Sequence, residues 1–153
     1  MALKEGVLAP DFELLDQDGV ARKLSDLRGK VVILYFYPKD DTPGCTTEAC
    51  NFRDNFSVFK AAGIEILGVS KDSVKSHAKF QQKYELPFTI LADEDHRVCE
   101  LYQVWGKKKY MGNEYDGIFR TTYIIDEQGL IKKTYENVKP DQHAREILSL
   151  LGL

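Results

Sequence analysis

The sequence predicts an α/β fold, a mixed central sheet covered by helices on both sides. Three observations carry this. VVILYFYP (31–38) is a near-continuous apolar run ended by proline, the pattern of a strand buried on both faces. Apolar runs alternate with segments of helical period along most of the chain, as in an open α/β sheet. The alternation ends in TTYIID, an EQG turn and LIKKTYE (121–136), two strand-like runs in close succession, so the sheet is mixed rather than purely parallel.

The elements follow in order. Phe12 to Leu15, the DQDG turn at 16–19 and Val20 to Leu24 predict a hairpin, with turn chemistry from the Asp-Gly step. SDLRGK (25–30) predicts a short capped turn before the strand at 31–38. After the loop PKDDTPG a helix is expected over 45–62, because Ala49, Phe52, Phe56 and Phe59 fall on one face. Gly63 ends it. IEILGVS (64–70) is a second buried strand. Asp72 and Ser73 are candidate caps for a helix over 74–84, with Val74, Ala78 and Phe80 near one side. Leu86-Pro87 breaks that helix, and FTILAD (88–93) is a short strand. A helix over 94–104 would carry Val98, Leu101, Tyr102 and Trp105 on one stripe, and KKKYMGNEYDG (107–117) reads as a solvated loop. After the hairpin at 121–136, PDQHAREILSLL (140–151) closes the chain as a helix with Pro140 near its start.

The 153 residues suit a single domain, 1–153, and a chain of that size buries roughly 70% of its unfolded surface without staples. Net charge is −3 and the one basic run is Lys107-Lys108-Lys109, which argues against nucleic-acid or membrane-surface partners. The N-terminal stretch MALKEGVLAPDF has no apolar h-region, and no window approaches the ~18 apolar residues of a membrane span. A cytoplasmic protein is therefore expected, where a disulfide is more often catalytic than structural. The three cysteines cannot all pair with one another, which weakens the idea of a staple further.

Chemistry concentrates in PKDDTPGCTTEAC (38–50). Cys45 follows a buried strand and a turn, in the first turn of a predicted helix, and sites in α/β sheets lie beyond the carboxyl ends of strands. Free backbone N–H groups and the helix dipole favour an anion there, so the thiolate is preferred over the thiol. Gly44 allows close backbone approach, Thr42 offers a hydroxyl, and Pro38 and Pro43 limit how far the loop flexes. Asp40, Asp41 and Glu48 oppose the thiolate if they lie near the sulfur, so a cation is required. Arg53 is ~12 Å along the helix from Cys45, too far for direct contact; the fold must bring another arginine.

Cys50 sets a geometric condition. Residues five apart on one α-helix are separated by about 140° and ~7.5 Å of rise, which puts their Cα atoms ~8.6 Å apart. A disulfide needs about 7 Å or less. The pair is therefore a poor static staple, and it works as a redox pair only if the helix start unwinds. His77, His96 and His143 lie in charged helical stretches without zinc-like spacing, so they read as surface histidines and no metal is expected. Dinucleotide, P-loop and G-x-S-x-G motifs are missing, so no cofactor is expected either.

Pro38, Thr42 and Cys45 form P-x-x-x-T-x-x-C, and FYPKDDTPGCTTEAC resembles the peroxiredoxins, in particular the bacterioferritin comigratory protein (peroxiredoxin Q) subfamily. GVLAPDF (6–12), YELPFTILAD (84–93) and GIFRTTYIID (117–126) resemble further blocks of that family in the same order. The resemblance implies a thioredoxin-like fold with an N-terminal β-hairpin extension. It implies a peroxidatic Cys45 oxidised to a sulfenic acid, with Thr42 and Arg120 holding the peroxide and Pro38 shielding the site. It implies Cys50 as the resolving cysteine, forming an intrachain disulfide that thioredoxin or a similar dithiol reduces. Glu48 matches a family glutamate, expected to orient Arg120. An intrachain pair needs no partner subunit, so a monomer is expected. Cys99 matches no part of the pattern and reads as a small buried hydrophobe; the alternative is a second resolving thiol. Two other functions compete. A thiol–disulfide oxidoreductase predicts C-x-x-C at the helix start and a proline before the strand at 121–126, where Ile118-Phe119-Arg120 stands instead. A redox sensor on the same fold leaves the full Pro38, Thr42, Cys45 and Arg120 set unexplained.

Overall fold

The computed structural model describes residues 2–153. It opens with the predicted hairpin, β1 (Glu13–Asp16) and β2 (Ala21–Lys23), whose turn is held by Asp16: its Oδ1 accepts the amides of Asp18 and Val20 at 2.8 and 3.0 Å. A 3-10 turn over Leu24–Leu27 leads to β3 (Val32–Phe36), every residue of which is buried. After it come α1 (Pro43–Asp54), α2 (Phe56–Ala61), β4 (Glu65–Ser70), α3 (Val74–Tyr84), β5 (Thr89–Ala92) and α4 (Arg97–Leu101). The chain ends with β6 (Trp105–Tyr110), β7 (Asn113–Ile118), β8 (Thr121–Ile125), β9 (Ile131–Tyr135) and α5 (His143–Leu150).

The main sheet has seven strands in the order β2-β1-β5-β4-β3-β8-β9. β3, β4 and β5 are parallel, while β8 lies antiparallel on the other side of β3. The near-continuous apolar run at 31–38 therefore lies between two strands, and its alternate residues feed opposite faces. Leu34 and Phe36 join Leu67, Val69, Tyr102 and Tyr123 on one side. Ile33 and Tyr35 join Phe52, Ile66, Phe80 and Ile147 on the other, under the helices α1, α3 and α5. The Tyr35 ring lies across Gly68 of β4, where a β-carbon would come within 2.9 Å of it. Among the described residues, no helix is long and apolar enough to cross a membrane.

The helix expected over 45–62 is two helices. It starts earlier because Pro43 occupies the first helical position, where its missing N–H costs nothing. It breaks at Asn55, whose side-chain amide donates to the Asn51 carbonyl at 2.8 Å and competes with the backbone for it. In α3 the buried side chains are His77 and Phe80, with Val74 and Ala78 only half-buried. Ser73 caps this helix, accepting the Ser76 amide at 3.1 Å.

The helix expected over 94–104 is only α4. The buried carboxylate of Asp93 starts it by accepting the amides of Val98 and Cys99 at 3.2 and 2.8 Å, and Gln103, at φ 58°, ends it. Leu101 is exposed, and Trp105 belongs to a strand.

The loop expected over 107–117 is a two-stranded sheet of its own, β6 on β7. Met111 and Gly112 both have positive φ, 51° and 82°, as a two-residue hairpin turn of matching twist requires. Lys107 faces Asp116 and Lys109 faces Glu114 in the register, so opposite charges pair across the strands. The surface reading of the histidines fails for two of the three. His77 and His143 are 0% and 1% exposed, because each ring satisfies both nitrogens with protein partners.

Candidate active site

Parallel strands put the carboxyl ends of β3, β4 and β5 at one edge of the sheet, and Cys45 lies just beyond the end of β3. It is the third residue of α1, and it is buried. Thr42 is the N-cap residue, and the Thr46 amide is the first to find an acceptor in the helix, the Thr42 carbonyl at 2.8 Å. The amides of Gly44 and Cys45 precede it and have no intrahelical acceptor. Together with the helix dipole they favour an anionic sulfur.

Arg120 reaches Cys45 through sheet register. Phe36, the last residue of β3, pairs with Thr121, the first residue of antiparallel β8. The residue before Thr121 therefore stands beside the loop that leaves β3. Arg120 Nη2 donates to Cys45 Sγ at 3.2 Å, and Nη1 donates to Glu48 Oε1 at 2.7 Å. The Arg120 side chain is 16% exposed and the Glu48 side chain 1%, so the pair is held in a poorly solvated place. Gly44 faces the same guanidinium: a β-carbon there would come within 3.2 Å of Nη2. Glu48 thus lies on the arginine rather than on the sulfur.

Burial pushes the Glu48 carboxyl up to about 7, against the opposing pull of Arg120. Among the described residues its Oε2 has no partner, and neither has the hydroxyl of Tyr35 beneath the site. The Tyr35 phenol is held well above its ordinary range, first by burial and then by the charges of Glu48 and Cys45.

The other predicted residues fall as follows. The Thr42 hydroxyl donates to the Lys39 carbonyl at 2.9 Å, and no side-chain cap bond to the helix is made. Pro38 is half-buried at the end of β3. Asp40 and Asp41 turn away from the sulfur and bond to side chains of α3. Arg53 donates to the Tyr84 carbonyl at 2.8 Å. Cys50 is half-buried in the same unbroken helix as Cys45, and the three cysteines are free thiols. Burial raises the Cys50 thiol, which keeps it a poor nucleophile in the folded helix. Cys99 is 0% exposed, and burial with the neighbouring Asp93 carboxylate pushes its thiol far up, so it is inert.

Sequence reasoning missed Lys108. Its stem lies over Gly117, where a β-carbon would come within 3.2 Å of its Cδ. Its ammonium donates to the Ile118 carbonyl at 2.9 Å, two residues before Arg120. Burial and Arg120 lower its pKa while Cys45 favours its charged form, so it is a second cation felt at the site. The signal was available: the oppositely charged runs on either side of Met111-Gly112 mark a hairpin, and alternation within it turns Lys108 away from Lys107 and Lys109.

The chain matches known proteins in sequence and fold. A family model for the AhpC/TSA family covers residues 6–134. The chain belongs to this family of peroxiredoxins. It is 48% identical to the Peroxiredoxin Bcp of Bacillus subtilis over 151 residues, 99% of this chain and 96% of the relative. It is 46% identical to the Peroxiredoxin Bcp of Escherichia coli over 149 residues, 97% of this chain and 96% of the relative. The solved Xanthomonas campestris Bacterioferritin Comigratory Protein, studied for its alkyl peroxide reduction activity, superposes with a TM-score of 0.91 at 35% identity, covering 99% of this peroxiredoxin and 98% of the other chain. The fold is accordingly the thioredoxin-like fold of peroxiredoxins, with the β1–β2 hairpin added to the edge of its sheet next to β5.

Proposed function

We propose that this peroxiredoxin is a cytoplasmic, monomeric thiol peroxidase that reduces hydrogen peroxide and organic hydroperoxides through Cys45 and Cys50. The observation that carries the reading is one guanidinium donating to both Cys45 Sγ and the buried Glu48. An arginine stays charged at any working pH and presents planar donors to two acceptors at once. Held by Glu48, it lies ready beside the sulfur where an oxygen must arrive.

The Cys45 thiolate attacks one oxygen of the peroxide. A sulfur–oxygen bond forms, the O–O bond breaks, and the leaving oxygen departs with a proton as water or alcohol. Sulfur is oxidised to the sulfenic acid and the peroxide is reduced. Arg120 stabilises charge as it moves from sulfur to the leaving oxygen, the Thr42 hydroxyl orients the peroxide, and Pro38 keeps water from the sulfur. The Cys50 thiol then condenses with the sulfenic acid, giving an intrachain disulfide and water, and thioredoxin or a similar dithiol takes over that disulfide by exchange. With α1 intact from Pro43 to Asp54, the two sulfurs meet only after its first turns unwind. The alkyl peroxide activity reported for the Xanthomonas relative supports including organic hydroperoxides among the substrates.

Peroxide consumption with a thioredoxin recycling system tests this. Cys45→Ser should abolish turnover, and full turnover in that variant would sink the mechanism. Cys50→Ser should consume one equivalent of peroxide per chain and then stall. Cys99→Ser should be nearly silent; a dead Cys99→Ser would overturn the choice of resolver.

A further inference from the structure

If Cys45 leaves its helix to meet Cys50, part of the surrounding loop has to stay behind so that the helix can re-form in place. The residues before Thr42 are built to stay. Asp40 is buried, and its Oδ1 accepts the Tyr37 hydroxyl at 2.6 Å. Its Oδ2 accepts the Ser76 hydroxyl at 2.8 Å and faces His77 Nδ1 at 2.7 Å. His77 Nε2 lies 2.8 Å from the Leu91 carbonyl. A carbonyl only accepts, so Nε2 carries a hydrogen and the ring is locked between β5 and the loop. The Asp40 amide donates to Asp72 Oδ2 at 2.8 Å, and the same oxygen accepts the Ser70 hydroxyl at 2.6 Å.

Asp41 adds a second grip. Its φ is 58°, uncommon for a residue with a side chain, and its carboxylate accepts Lys83 Nζ and the Tyr84 hydroxyl, each at 2.7 Å. Such a backbone persists where its surroundings over-determine it. Asp40, Asp72 and His77 each place a ligand atom within 4.8 Å of the others. Asp40 and His77 are already committed to protein partners, so the cluster is a fastening rather than a metal site.

Beyond Asp41 the pattern changes. The Thr42 and Thr47 hydroxyls bond only within their own segment, to the carbonyls of Lys39 and Pro43. Side-chain bonds from α1 to distant elements resume at Asn51, on the Pro140 carbonyl at 3.0 Å, and at Arg53 on Tyr84. Between these anchors, the side-chain bonds to distant elements are those that Cys45 and Glu48 receive from Arg120, and oxidation of Cys45 alters one of them.

We propose that Asp40 and His77 are positioning residues that keep Pro38–Asp41 folded against α3 while Thr42–Cys50 unwinds, so that α1 rewinds onto an unmoved start. This rests on the Cys45–Cys50 cycle above. None of the fastening groups makes a hydrogen bond to Cys45, Cys50 or Arg120, so their effect is on where unwinding stops.

Amide hydrogen exchange by NMR on the wild-type chain, reduced and disulfide-bonded, tests it directly. The Asp40 amide should stay protected in both forms, while the amides from Thr46 to Cys50 lose protection in the disulfide form. Loss of Asp40 protection in a chain shown by mass spectrometry to carry the Cys45–Cys50 bridge would overturn the anchor and leave the peroxidase cycle standing. Failure of the bridge to form in peroxide would overturn both. In a disulfide-bonded Asp40→Ala chain the amide of residue 40 should lose protection together with those of Thr46 to Cys50, because the side-chain bonds that hold the loop on α3 are gone. A folded Asp40→Ala chain whose residue-40 amide stays as protected as in the wild type when the bridge is formed would count against the proposal. If that variant does not fold, Ser76→Ala, which removes one hydroxyl from the network, should increase Asp40 amide exchange in the disulfide form. Unchanged exchange there would be equally damaging.

Discussion

Arg120 stands between two acceptors with unequal claims on it. Glu48 is wholly buried, and among the described residues only one of its oxygens is bonded. That explains why its carboxyl holds a proton up to about 7 although a guanidinium lies 2.7 Å away. The folded value lies above the ordinary 4.5, so between those two values the folded chain keeps a proton that the unfolded chain has lost. The stability this proton contributes is fully present below 4.5 and is lost as pH rises through about 7. Urea midpoints across that window should therefore fall with pH through this group, and Glu48→Gln should flatten its part of the decline. Lys108 acts at the same scale. Lys108→Met should slow the reaction of Cys45 with peroxide several-fold, roughly what one nearby partly solvated charge is worth, and Lys108→Arg should restore most of it. Stopped-flow rates at low ionic strength would read both.

At the scale of elements, the β6–β7 hairpin departs furthest from the solvated loop its residues suggest, and it ends two residues before Arg120. Its charges are cross-strand pairs, whereas a run such as KKKY in isolation resembles a solvated face. Gly106 in this hairpin lies against Phe119, where a β-carbon would come within 2.8 Å of the ring. Gly106→Ala should therefore cost about 1–3 kcal/mol by overpacking, visible as a lower thermal midpoint, and should disturb the approach to Arg120. Of the apolar face expected for a helix over 45–62, Ala49, Phe52 and Phe59 are buried as its period demands, and Phe56 is only half-buried. What period does not reveal is a side chain such as Asn55 taking over a backbone carbonyl.

At the scale of the molecule, the sheet order decides which distant residues meet. β3 lies between parallel β4 and antiparallel β8, so its carboxyl end adjoins the amino end of β8, and Arg120 arrives beside Cys45. The opposite face holds Cys99 in the core with Val98, Tyr102 and Val104. Cys99 should resist thiol reagents in the native protein and react only at the rate of global unfolding; labelling with a chromogenic disulfide, with and without denaturant, would measure this. Rapid native labelling would mean that this core opens locally.

The alternation of strands and helices, the doubly buried central strand and the placement of Cys45 at a helix start are all legible along the chain. Those follow from periodicity and from the chemistry of neighbouring residues, which act over a few positions. The sequence also sets the condition that a C-x4-C pair on a helix must unwind to bond, because helix geometry is the same in any fold. Tertiary structure decided the rest. Arg120 lies 75 positions from Cys45, and His77 lies 37 positions from Asp40; only strand register and helix docking bring such residues within hydrogen-bond reach. Burial likewise belongs to the folded chain. It places the His77 and His143 rings in the interior with both nitrogens bonded, and it leaves Glu48 with a proton near neutrality.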